Sequence, residues 1–179
     1  MKVALIVGHS KTSQGARNKS LDIKEFGFNA DLAERITKAG KDSEMEFVTV
    51  YRDTYSKLPG KVNRENADII ISLHCNAYNE KASGTETLYY HSSDRGRALA
   101  GNINYQMVKA LGLPNRGTKA KSSEDRGGYL LKYTNAPCVI TEAFFIDNDE
   151  DLAVAMDNLD ELAKSIVQGC NDYNYGIVR

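Results

Sequence analysis

Tryptophan is absent, and proline and cysteine occur only three times each. Without Trp, the core must rest on aliphatic side chains with ten Tyr and five Phe. The cysteines, Cys75, Cys138 and Cys170, are odd in number and widely spaced, which excludes a disulfide framework. Cys75 and Cys138 stand in apolar runs and read as small core residues, in a chain made in a reducing cytoplasm. No stretch approaches the roughly 18 apolar residues of a membrane span, so no membrane insertion is expected. The start, MKVALIVGHS, offers one Lys and a short apolar run before Gly8, less than the roughly 7–15 residues of a secretory core. A protein of this kind acts outside the cytoplasm only after release by something else. The net charge is −1, which gives no general attraction to nucleic acid. Lys119 and Lys121 read as a solvated surface pair. Both glycine-rich phosphate-loop patterns are missing, which argues against a nucleotide-binding domain.

What is present is one domain's worth of alternating elements. The 179 residues suffice for a single substantial core, and no Pro- or Gly/Ser-rich linker divides them. Residues 3–7 and 68–73 are nearly continuous apolar runs, as in strands buried on both faces. Residues 47–51, 85–90, 129–133 and 138–141 read as further strands. A helix is expected from near Ile23, with Phe28, Leu32 and Ile36 on its inner face and Gly40 as its stop. Residues 58–67 read as a short helix. Asp94 is the expected cap of a helix carrying Leu99, Ile103, Met107 and Leu111. A mobile loop is expected up to Gly128, and one last helix over 150–170 with Leu152, Met156, Leu159, Ile166 and Val167 inward. This alternation predicts an α/β fold with a largely parallel sheet. Residues 1–172 form the expected domain, and 173–179 a tail or the start of a linker.

Ligands in open α/β sheets bind outside the carboxyl ends of the strands. His9 follows the first apolar strand, His74 the third, and Glu142 the strand ending at Thr141. Glu25 lies in the first turn of the helix after the first strand, three, seven and eleven residues before Phe28, Leu32 and Ile36. That spacing puts a carboxylate on the core-facing stripe, where it is costly unless paired or bound to a metal. Two histidines and a glutamate are a ligand set for catalytic zinc that leaves one position open. Glu142 is then the candidate to move protons. His91 follows a different strand in a polar turn and is not expected to be a ligand.

The motifs at these positions are VGHS with Gly15-Ala16 behind it, Glu25 opening a helix, SLHCNA at 72–77, and Gly84-Thr85-Glu86 leading into Leu88-Tyr89-Tyr90. Asn115-Arg116-Gly117 and TEAFFIDN at 141–148 complete them. In order and spacing, over residues 2–170, the chain resembles the zinc N-acetylmuramoyl-L-alanine amidases of the Amidase_3 type, in particular the catalytic domains of clostridial phage endolysins. The resemblance implies a twisted, mostly parallel six-stranded sheet with helices on both faces. It implies one Zn²⁺ held by His9, Glu25 and His74, with Glu142 as the catalytic glutamate. The implied substrate is peptidoglycan, cut at the amide between the lactyl group of N-acetylmuramic acid and L-alanine of the stem peptide.

Asn76 and Glu86 are candidates to touch glycan or stem, with local hydrogen bonding as the alternative. Two features depart from the family pattern: the glycine-rich DPGHGG opening of cellular members is reduced to VGHS, and a long loop at 119–128 carries Ser122, Ser123 and Glu124. Endolysins usually carry a wall-binding domain. None is visible here, so the chain reads as a catalytic fragment or as a domain that binds through its own groove. Two rivals share the residues: a zinc peptidase cutting within the stem, and a silent wall-binding domain. A binder has no need of Glu142 beside the ligands.

Overall fold

The apolar run at the start forms β1 (Lys2–Val7), whose residues Val3 to Val7 are all fully buried. The computed structural model describes residues 1–177, with the last two residues of the expected tail outside that range. After β1 come α1 (Glu25–Ala39), β2 (Glu46–Tyr51), α2 (Leu58–Asn63) and β3 (Ile69–Asn76). The chain continues through β4 (Thr85–Tyr90), α3 (Asp94–Leu111), β5 (Asn115–Lys121) and α4 (Gly128–Tyr133). It ends in β6 (Cys138–Phe145), α5 (Asp149–Asp157) and α6 (Leu159–Asn174). The six strands form one sheet in the order β2-β1-β3-β6-β4-β5, parallel except where β4 meets β6. The expected single α/β domain with helices on both faces is what the chain forms.

Two apolar cores result, one on each face of the sheet. The larger joins Phe28, Leu32 and Ile36 of α1 to Leu99 and Ile103 of α3 and Leu162 and Ile166 of α6. The smaller joins Leu58 and Val62 of α2 to Leu130 and Leu131 of α4. The chain passes from β1 to β2 by α1 on the first face, then from β2 to β3 by α2 on the second. The connections therefore diverge between β1 and β3, and this switch point opens the crevice at the carboxyl ends of those strands.

Several expectations need correction. The stretch 115–121, expected in a mobile loop, is the edge strand β5. It is polar because one flank of an edge strand faces solvent. Residues 129–133 belong to the helix α4 rather than a strand, since six residues are too few to show a helical period. The last helix is two, meeting at Asn158, and Met156 points outward at 47% exposure. The cap of α3 is Ser93, whose hydroxyl accepts the Gly96 N–H, not Asp94. Gly40 ends α1 in ordinary right-handed geometry. It is glycine because a Cβ there would lie 2.2 Å from the Phe47 ring. Tyr173 and Asn174, assigned to the tail, lie within α6, and the Ile177 carbonyl accepts from Asn102 Nδ2.

Candidate metal centre and its cleft

His9 follows β1 with a φ of 67°, a conformation rare outside glycine that needs surrounding structure to hold it. Gly8 and Gly15 make the room. A Cβ on Gly8 would meet the His74 imidazole, and one on Gly15 would lie 2.5 Å from Glu25 Oε2 and 2.6 Å from the His9 ring. His74 lies inside β3, which continues to Asn76 rather than stopping before the histidine. Glu142 likewise lies within β6, where the register against β3 shifts between the His74 and Asn76 pairings. Such irregularities re-aim side chains beside functional sites.

Glu25 is fully buried at the start of α1. Its Oε1 accepts from His74 Nδ1 at 2.8 Å and from the Cys75 N–H at 3.1 Å. Its Oε2 accepts the Ala16 N–H at 3.0 Å. His9 Nε2 approaches Oε2 to 3.0 Å but is not aligned to bond, so this buried nitrogen has no hydrogen-bond partner among the described residues. Burial raises the Glu25 pKa, but the imidazoles of His74 and His9 outweigh it and hold the carboxyl well below the usual range. One donor atom from each of His9, Glu25 and His74 lies within 4.8 Å of the others. Two half-buried imidazoles and a buried carboxylate, with one ring nitrogen unpartnered among the described residues, fit zinc and leave a fourth position for water.

Glu142 stands beside this set. It pairs in register with His74 of β3 on one side and with Glu86 of β4 on the other. Its Oε2 is buried without a hydrogen-bond partner among the described residues. Desolvation, reinforced by the negative charge of Glu25, pushes its pKa up to about 8, against the pull of Arg126. A carboxyl so placed can hold a proton near neutral pH and also release it.

The cleft around these groups measures about 430 Å³, within the range of small-molecule sites. Asn76 and Glu86 line it and bond to each other: Asn76 Nδ2 donates to Glu86 Oε1 at 3.0 Å. Arg116 Nε donates to Glu86 Oε2 at 2.9 Å, and its guanidinium lies over the Phe145 ring. His91 is exposed and packs on Tyr90, apart from the donor set. Sequence reasoning missed Arg52, Tyr55, Lys121, Arg126 and Tyr129, all of which line the cleft. Lys121 was visible only as one of a lysine pair, and Arg126 gave no signal, because their place in the cleft is set by the β4–β5 pairing and by the turn that follows.

Fold and site together define an α/β domain with three clustered donors that could hold a metal ion and a desolvated acid beside them, at the carboxyl ends of its central strands. The chain belongs to the Amidase_3 family, N-acetylmuramoyl-L-alanine amidase, whose model matches residues 3–172. It is 29% identical over 175 residues to the N-acetylmuramoyl-L-alanine amidase LytC of Bacillus subtilis (strain 168), covering 93% of this chain and 34% of LytC. The chain thus spans about a third of that relative's length. Among solved structures, the N-acetylmuramoyl-L-alanine amidase from Clostridium difficile 630 superposes with a TM-score of 0.88 at 22% identity, covering 97% of this chain and 96% of that one. The catalytic domain of the CD27L endolysin, which targets Clostridia difficile, does so with a TM-score of 0.82 at 27% identity, covering 96% and 97%. No helix of the described residues is long and apolar enough to cross a membrane.

Proposed function

We propose that this chain is a zinc-dependent N-acetylmuramoyl-L-alanine amidase that cuts peptidoglycan between the lactyl group of N-acetylmuramic acid and L-alanine of the stem, in the manner of a phage endolysin. The observation that carries the reading is the adjacency of two groups: the clustered His9–Glu25–His74 donors and the desolvated Glu142, the register partner of His74 on the next strand. In this reading His9, Glu25 and His74 hold one zinc ion. Zinc, when bound, supplies a divalent charge that polarises a carbonyl and acidifies water.

The chain's own residues do the rest. Glu25 keeps the His74 imidazole oriented, and the Ala16 and Cys75 amides fix its carboxylate in turn; such supporting bonds set ligand geometry. Glu142 takes a proton from the attacking water and delivers it to the departing alanine nitrogen, both steps suited by a pKa near neutrality. Asn76 and Glu86 form the cleft floor against which glycan or stem rests, held there by Arg116.

The test is digestion of purified peptidoglycan with and without a chelator, followed by mass spectrometry of the products. Free stem peptides with an N-terminal alanine, lost on chelation, are expected. Products cut inside the stem would make the chain a peptidase, and no products would make it a binding domain.

A further inference from the structure

The cleft carries a charge pattern that hydrolysis leaves unused. Of the acids in the cleft, Glu86 is engaged by Asn76 and Arg116 and Asp125 by Ser122, and Glu25 behind them by His74 and two amides; Glu142 is left, with its Oε2 unbonded among the described residues. Lys121 and Arg126 also line the cleft, yet neither forms an ion pair with a described residue. Both are close enough to Glu142 for their charge to lower its pKa against the effect of burial.

The backbone presents these cations in a fixed way. Lys121 is the last residue of β5, in register with Tyr90. Arg126 sits in a tight turn closed by Asp125, whose Oδ2 accepts the Ser122 N–H at 2.7 Å and the Ser122 hydroxyl at 2.9 Å. Gly127 completes the turn at a φ of +85°, and a Cβ on Gly128 would lie 1.7 Å from the Ser122 carbonyl oxygen. A turn held this way fixes the backbone from which the exposed Arg126 side chain reaches the cleft.

We propose that Lys121 and Arg126 form an anion subsite for a carboxylate of the stem peptide, carried by the residue that follows the scissile alanine. The proposal rests on the amidase reading above. If Glu142 protonates the alanine nitrogen, the stem leaves the reacting centre beside Glu142 through the cleft that the two cations line. The second residue of a peptidoglycan stem is a glutamate whose α-carboxyl is either free or amidated. A guanidinium fork with a neighbouring ammonium favours the free carboxylate, since charge-assisted bonds are stronger than neutral ones. A wall phosphate polymer supplies the same charge, but a cleft of about 430 Å³ holds a small ligand and leaves a polymer's body outside.

The experiment uses two muramyl peptides that differ only in whether that second residue is D-glutamate or D-isoglutamine. The ratio of their kcat/KM values is measured for the zinc-loaded chain, for Arg126→Gln and for Lys121→Gln. We expect a preference of about tenfold for the acid, collapsing toward one in the variants. A change in the Glu142 pKa affects both substrates alike and cancels in the ratio. Binding of the two free stem peptides to metal-free protein by calorimetry gives the same comparison without turnover. No acid preference in the wild type, or one untouched by both substitutions, would overturn the subsite. Cleavage of neither substrate would instead overturn the amidase reading, while calorimetry still decides the subsite. Added wall phosphate polymer that displaces the acid peptide at equal charge concentration would reassign the site to phosphate.

Discussion

His74 and Glu142 are direct partners across the β3–β6 pair, a candidate metal donor and a candidate proton carrier on neighbouring strands of one parallel sheet. The sheet fixes their spacing, yet the two side chains have separable tasks. Glu142→Gln removes the proton carrier and leaves all three metal donors in place. We expect one zinc per chain by elemental analysis and hydrolysis lower by about 10²–10⁴-fold. His74→Ala should lose the metal itself. Near wild-type turnover by zinc-loaded Glu142→Gln would remove Glu142 from the chemistry.

The raised pKa of Glu142 has a consequence for the metal-free protein. Its folded carboxyl titrates near 8, against 4.5 in the reference state, so the folded protein keeps a proton that the unfolded chain releases between those values. Unfolding free energy must therefore fall as pH rises through that window and level off above it. Glu25 works in the opposite sense: its pKa is lowered, so its contribution is present above the unfolded pKa and is lost in acid. The unfolding free energy of chelated protein, from urea titrations between about pH 5 and pH 8, should decline by an amount on the order of a few kcal/mol. The decline should flatten in Glu142→Gln. An equal slope in that variant would assign it to another group.

His9 and His74 were legible as candidate donors because each follows an apolar run in the sequence, and Glu25 because it interrupts an otherwise apolar helical stripe. Those signals are local, and the structure brings the three residues together. What was not legible depended on tertiary context. β5 reads as NRGTKAK, a sequence whose strand state comes from pairing with β4 rather than from its own pattern. α4 has only six residues, GYLLKY, and its Tyr and Leu suit a strand equally well. The break at Asn158 between α5 and α6 carries neither glycine nor proline. Lys121 and Arg126 come to line the cleft only through the pairing of β5 with β4 and the closed turn that follows it.

Asp151 is the buried joint that ties the strand ends behind the site. It is 1% exposed, and its Oδ2 accepts the Gly84 N–H at 3.1 Å and the Phe145 N–H at 3.0 Å. Its Oδ1 accepts the Ser83 hydroxyl at 2.5 Å. Asp151→Ala leaves two buried amides without an acceptor, each costing about 1–3 kcal/mol. We expect a loss of about 3 kcal/mol or more, seen as a lower urea midpoint with an unchanged m-value. A loss below about 0.5 kcal/mol, the usual range of surface substitutions, would mean that other groups or water satisfy those amides.

Gly15 tests whether the cradle depends on the loop that wraps it. Its φ is +78°, and a Cβ would press on Glu25 Oε2 at 2.5 Å and on the His9 ring at 2.6 Å. Neither can retreat freely: Glu25 is buried in α1, and His9 already occupies a positive φ. The loop itself is anchored farther on, where Asn18 Nδ2 donates to Asp149 Oδ1 at 2.6 Å. Gly15→Ala should therefore displace the donors rather than unfold the domain. We expect zinc affinity to fall by about 10–100-fold, as when a supporting contact of a metal ligand is lost. Zinc stabilises the folded state according to its occupancy, so the rise in Tm on adding zinc should shrink by the matching amount. If the variant keeps the wild-type zinc-induced rise, the loop is not what sets the cradle, and the donors are positioned by β1, β3 and α1 alone.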